Sequence, residues 1–182
     1  MRHALAGALL LGAVSTLGDF VWAALRLQHR MGYGLVHGAV VCLCVGLVIG
    51  WRARRAALGA AAGPFVGVAA AGLFYMLAPA LGYSAMFPAW MFFWVCFGLL
   101  QAQLDPRKRY GAAVWRGLAA AVLSGLAFYA ISGIWTIPSP GGPDYVRHLW
   151  SWTIAFLPGF VALFAGVPAP PQSHASVPRG AV

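Results

Sequence analysis

Acid is almost missing from this chain. Its 182 residues hold three acidic side chains, Asp19, Asp105 and Asp144, and no glutamate, against twelve lysines and arginines of which one is lysine. Charged residues of either sign make up 8%, whereas soluble domains carry about 25%. Such a chain lacks the polar surface that keeps a domain in water. Recognisable catalytic signatures are absent as well. There is no Gly-x-Ser-x-Gly elbow, no phosphate-cradling glycine loop and no His-x-x-x-His pair.

Cysteine is equally sparse. Cys42, Cys44 and Cys96 all fall inside apolar runs, where a thiol acts as a small hydrophobe. Cys42 and Cys44 are two residues apart and so lie on different faces of a helix. No disulfide framework and no zinc set of three or four ligands can be assembled from these residues. Neither a metal nor a cofactor is expected. The net charge of +9 would fit nucleic acid if it formed a patch, but the basic residues sit in short clusters between apolar runs. That is the pattern of topology signals, so no nucleic-acid partner is expected.

What fills the chain is hydrocarbon. Apolar residues make up 62% and the mean hydropathy is +0.79. Six runs are separated by charge, proline and glycine: about 5–25, 34–51, 57–77, 89–104, 112–135 and 146–167. Each is close to the roughly 20 residues that a membrane-crossing helix needs. Helices are the only reading, because a lipid-exposed backbone must satisfy its own hydrogen bonds. The unbroken runs also exclude the alternation of a barrel strand. The expected fold is therefore all-α: a polytopic bundle of six transmembrane helices over 1–167, followed by a disordered Pro, Ser and Ala-rich tail at 168–182.

The first run has two readings. Met1-Arg2-His3 before Ala4 to Val14 resembles a signal peptide, with Ala13 and Ser15 as small residues near a cleavage point. The apolar run nevertheless continues to Leu25, long enough to span, and a retained helix is expected. Pro79 is expected to close the third run and an uncharged loop to follow from Ala78 to Pro88. With the N-terminus inside, the inner positions hold Arg2, the Arg52/Arg54/Arg55 cluster, the Arg107/Lys108/Arg109 cluster, Arg116 and Arg179. Only Arg26, Arg30 and Arg147 fall outside. Both termini are thus expected inside. The Ala, Gly and Arg-rich composition reads as bacterial, which places the protein in an inner membrane.

One stretch demands explanation. Asp19 lies within the first run, roughly 9 Å below its outer end at 1.5 Å per residue. An ionised carboxylate is costly in hydrocarbon, so it should face the bundle and find a partner. His37 enters the second run at a comparable depth, and Arg26 is two helical turns beyond Asp19 on the same face. Asp19, Trp22, Arg26 and His37 are the candidate ligand-binding residues. They would meet the head of a membrane lipid or act as a structural polar clamp on the hairpin. A base such as His37 or His29 beside Asp19 also leaves open a lipid-acting enzyme, and a titrating Asp19 a proton-coupled carrier. The absence of an evident inverted repeat weakens the carrier.

Other features read as structural. Tryptophans and Tyr33 near the run ends, including Trp90, Trp135, Trp150 and Trp152, form interfacial belts. His148 is expected to be solvated. Gly59, Gly63 and Gly67 share one face of the third helix and let another helix approach closely. That helix would belong to this chain, to a second copy or to another membrane protein. One of Gln101 and Gln103 is expected to bond across helices, and Arg116 to snorkel to the inner surface.

Two loops carry a resemblance. Asp105-Pro106-Arg107-Lys108-Arg109-Tyr110-Gly111 joins the fourth and fifth runs, and Pro143-Asp144-Tyr145-Val146-Arg147 with Trp150 opens the sixth. Both segments resemble the corresponding loops of the INSIG (insulin-induced gene) family, six-helix membrane proteins that bind sterols or other lipids within the bundle. The resemblance covers roughly Trp94 to Gly166. It implies a lipid pocket, with Asp105 and Arg107 in a functional loop and Tyr145 and Arg147 organising the end of the last helix. The leading expectation is a non-enzymatic lipid-binding protein.

Overall fold

A computed structural model describes residues 1–26, 31–135 and 144–167, with the backbone alone for 132–135. The expected tail, His29, Arg30, Arg179, the loop prolines before Asp144 and the Trp135 side chain lie outside the described residues. Every regular element among the described residues is helical: α1 (Arg2–Ala24), α2 (Met31–Arg52), α3 (Ala56–Leu81), a 3-10 turn (Gly82–Ala85), α4 (Met86–Leu104), α5 (Tyr110–Trp135) and α6 (Tyr145–Phe164). Four stretches are long and apolar enough to cross a membrane: Arg2–Ala24, Met31–Arg52, Ala56–Leu104 and Tyr110–Ile131. The third, at 49 residues, contains both α3 and α4.

The expected uncharged loop at 78–88 is corrected. α3 continues through Pro79 to Leu81, and α4 opens at Met86. A proline removes only its own bond to the carbonyl four residues back, and by Pro79 most of the helix has already formed. The terminator is Gly82, whose φ of +56° is open to a residue without a Cβ. Pro88 sits in the first turn of α4, where its missing N–H would have had no helical partner.

The starts of α1, α3 and α4 carry no side-chain cap hydrogen bond. That of α6 does. Asp144 accepts a hydrogen bond from the Arg147 backbone N–H at 2.9 Å, a cap of a kind worth about 1 kcal/mol.

The helices form a ring in chain order, closed by α1 on α6. Paired positions run in opposite directions across each contact. Gly38 lies by Gly67 and Gly46 by Gly59 across α2 and α3, while Gly98 lies by Ala113 and Trp94 by Gly117 across α4 and α5. Ser124 Oγ donates to the Ala155 carbonyl at 2.6 Å between α5 and α6. That bond lies beside the Ile154 carbonyl, which Pro158 cannot bond, and side-chain hydroxyls commonly support the backbone around such prolines. Successive helices therefore alternate in direction. One end of the bundle collects the N-terminus and the 53–55 and 105–109 connections, hence the basic clusters. The opposite end carries Asp19.

The core is built from large side chains set into glycines. Leu11, Val45, Ile49, Trp94, Phe97, Phe160 and Leu163 are fully or almost fully buried. The Trp94 ring occupies the space a Cβ on Gly159 would need, and Phe160 lies 3.0 Å from where a Cβ on Gly7 would stand. Facing outward are Phe65, Met76 and Trp115, each more than 70% exposed. In water such a surface would be a liability; against acyl chains it is unremarkable.

α2 and α3 make the most extensive contact in the ring. The glycine face of α3 meets a matching face of α2 made of Gly38, Cys42, Gly46 and Gly50. Gly59, Gly63 and Gly67 each turn a Cα hydrogen toward a backbone carbonyl, of Gly46, Cys42 and Gly38 respectively. Such Cα–H···O contacts recur where helices pack this closely. The α1–α2 and α3–α4 contacts are much sparser.

Candidate functional site

The site is assembled from three helices at the end opposite the basic clusters. On α1, Gly18 to Trp22 present alternating small, acidic and aromatic groups. The ring of His37 on α2 sits directly over Gly18, where any side chain would displace it. The Tyr33 hydroxyl, one turn earlier, donates to the Gly18 carbonyl at 3.0 Å. Tyr33 stacks over His37 with centroids 6.2 Å apart, and Trp22 meets Tyr33 edge-on at 4.8 Å.

α6 supplies the other wall. Trp152 Nε1–H donates to Asp19 Oδ2 at 2.7 Å, and His148 Nδ1 lies 3.9 Å from the same oxygen. His148 and Trp152 are four residues apart and so share a helix face. Phe20 packs against Tyr145 at 4.1 Å and against His148 at 5.0 Å. His37 is also within electrostatic range of Asp19. One carboxylate thus meets an indole N–H and two imidazoles, within a wall of aromatic rings. The Asp19 side chain keeps 35% of its surface exposed, so the group is reachable.

Asp19, Trp22 and His37 are brought together. Arg26 is not: α1 ends at Ala24 and Arg26 is exposed with φ +50°. Two helical turns from Asp19 place it alongside only if the helix continues, and it does not. The partners of Asp19 come instead from α6. Trp152 is therefore corrected from interfacial belt to hydrogen-bond donor, and His148 from solvated residue to wall of the site. Trp90 also turns inward, against Phe93, Phe128 and Phe156. The i, i+4 spacing of His148 and Trp152 is the signal that could have found the α6 wall.

The loop residues divide between the two ends. Tyr145 lies beside Phe20 near Asp19, and Arg147 contributes its backbone N–H to the cap at Asp144. Asp105 and Arg107 are at the far end and bond to each other. The Asp105 carboxylate accepts from the Arg107 backbone N–H at 2.9 Å and from Nε at 3.2 Å. The backbone N–H of Arg107, followed by the Arg107 guanidinium and Arg109, holds the Asp105 carboxyl below its usual range. A depressed carboxylate stabilises the turn above its unfolded pKa, near 4, and that contribution is lost as pH falls through the lower folded value. The protection of the Arg107 amide, relative to its intrinsic exchange rate at each pH, is expected to hold from neutral pH down to about 4 and to be lost as pH falls further through the lower folded value. Protection that is flat across this range would remove the turn role.

Among the described residues no group of three His, Cys, Asp or Glu is placed to hold a metal ion. Comparison with protein-family models, curated proteins and solved structures finds no match.

Proposed function

We propose that the chain is an integral protein of a bacterial inner membrane, crossing six times with both termini inside. In this reading it binds a lipid or other hydrophobic ligand whose polar head meets Asp19, His37, His148 and Trp152. The observation that carries it is the partly exposed Asp19 carboxylate, held by Trp152 and with two imidazoles in electrostatic range, beside the sparse α1–α2 contact. An intramembrane acid with named polar partners is a functional candidate by default. A sparse helix contact next to it gives acyl chains a lateral way in. The likeness of the 105–111 and 143–150 segments to INSIG loops supports the same class, since that family binds lipids inside a six-helix bundle. The topology rests on the charge asymmetry between the two ends of the bundle.

Gently solubilised protein is expected to retain lipid in native mass spectrometry and to melt higher when that lipid is added back. No retained lipid and no lipid-dependent thermal shift would end this reading. Two imidazoles near one carboxylate also fit a proton-coupled carrier or an enzyme acting on a lipid. Uptake or turnover in proteoliposomes that disappears with His37→Ala, the fold intact, would favour those instead.

A further inference from the structure

The basic end of the bundle holds polar groups that neither the Asp19 cluster nor the fold uses. Gln101, on α4, is 5% exposed, and neither its amide nitrogen nor its amide oxygen has a hydrogen-bond partner among the described residues. Burying an amide without partners is costly in hydrocarbon-like surroundings, because its lost hydrogen bonds to water are not replaced. The neighbouring Gln103, which is exposed, accepts from the Tyr110 hydroxyl across the α4–α5 contact. Gln101 has no such bond.

Two guanidinium groups accompany it. Arg116 enters from the first turns of α5, on the stretch that opposes Gly98, one turn before Gln101. Its Nε is buried with no hydrogen-bond partner among the described residues. Arg52 closes α2, donates to the Val167 carbonyl at the end of α6, and lies over the Phe164 ring at 5.0 Å. Arg52 and Arg116 are close enough to repel each other electrostatically. Asp105 is within range of both, and its backbone N–H bonds the Gln101 carbonyl. Yet its carboxylate is already engaged by Arg107. Two cations thus lie within electrostatic range of each other, and the carboxylate in range of both among the described residues is already engaged, while Gln101 and the Arg116 Nε at the same end of the bundle keep buried donors without partners.

That is the inventory of an oxyanion site: guanidinium forks match phosphate oxygens, and an amide N–H₂ adds neutral donors. We propose that Arg52, Arg116 and Gln101 bind a phosphate group where α2, α4 and α6 end and α5 begins. The site lies at the end of the bundle away from Asp19 and stands whether or not a ligand binds there. At the surface of a membrane-embedded bundle the phosphodiester of an anionic lipid supplies this chemistry. Free phosphate is the other source.

The test uses the purified full chain in a neutral detergent, titrated with short-chain phosphatidylglycerol, with phosphatidylcholine of the same length and with inorganic phosphate. Thermal shift is the readout. Phosphatidylglycerol is expected to raise Tm, with Arg116→Gln weakening its apparent affinity at least ten-fold. Arg54→Gln removes the same charge from an exposed position at the same end and is expected to leave affinity within two-fold. Gln101→Leu is expected to raise the Tm of ligand-free protein while abolishing the phosphatidylglycerol increment. This keeps the proposal testable if the arginine variant folds poorly. The same pattern with inorganic phosphate in place of lipid would assign the site to the free anion. Equal loss in Arg116→Gln and Arg54→Gln, an equal rise with phosphatidylcholine, or no response to phosphatidylglycerol and to inorganic phosphate would overturn it.

Discussion

Gly63→Val is expected to destabilise the protein by about 1–3 kcal/mol or somewhat more, while Gly72→Ala in the same helix is expected to be neutral or mildly stabilising. The two glycines differ in what their missing side chains would meet. A Cβ at Gly63 would run into the Cys42 carbonyl and stand 2.8 Å from the Leu43 Cα. Both are backbone atoms, so no rotamer change relieves the clash and the two helix axes must separate. Separation would also lengthen the Gly59–Gly46 and Gly67–Gly38 approaches one turn to either side, since the same rigid helices carry them. A Cβ at Gly72 would meet nothing within 4 Å, leaving only the helix-propensity gain of alanine over glycine, up to about 1 kcal/mol. Thermal melts in detergent should show the difference, at about 2–4 °C per kcal/mol for a chain of this length. Equal melting temperatures for the two variants would remove α2 as the partner of this face. Gly63→Val that alters assembly size at unchanged Tm would make the face an intermolecular contact.

The glycine face illustrates what is legible in a membrane sequence. The four-residue spacing of Gly59, Gly63 and Gly67 stands out because it recurs regularly within an alanine-rich helix. The complementary face on α2 is harder to see, since Cys42 replaces a glycine in the middle of the series and a small thiol serves the same purpose. Helix positions are legible outside the 78–88 stretch, because run length and charge punctuation reflect the thickness and low dielectric of the bilayer. Partner identity is not. The first five runs are apolar on nearly all sides, so no amphipathic stripe says which of their faces turns inward; α6, with His148 and Trp152 on one face, is the exception. Chain adjacency then suggests that Asp19 meets only α2, across the short connection. The ring closes α1 on α6 instead, and the carboxylate finds its closest donor 133 residues away in Trp152. Arg26 fails for a local reason: a same-face argument holds only while the helix lasts, and α1 stops two residues before it.

At the Asp19 cluster, charge and hydrogen bonding can be separated by choosing the substitution. Asp19→Ala removes the acceptor of the Trp152 N–H and is expected to cost about 1–2 kcal/mol. That is the lower part of the range for orphaning a buried donor, because the carboxylate is 35% exposed and solvent screens its pairing with His148. Asp19→Asn keeps an amide oxygen where Oδ2 stood, so the 2.7 Å bond survives. Its stability should stay within about 0.5 kcal/mol of the parent, the scatter of an ordinary surface change. Trp152→Phe removes the donor, and a cycle with Asp19→Ala is expected to show coupling of about 0.5–3 kcal/mol, as for other residues in direct contact. Stability alone therefore measures the clamp. Lipid retention measures something else: a head group drawn to Asp19 needs the charge, so Asp19→Asn should melt like the parent and lose at least ten-fold in apparent lipid affinity. Retention unchanged in the Asn variant, beside a destabilised Ala variant, would reduce the cluster to a polar strut joining α1 to α6. Loss of retention at parental stability would make the carboxylate the group that meets the ligand, with Trp152 setting its orientation and His37 and His148 forming the walls on either side.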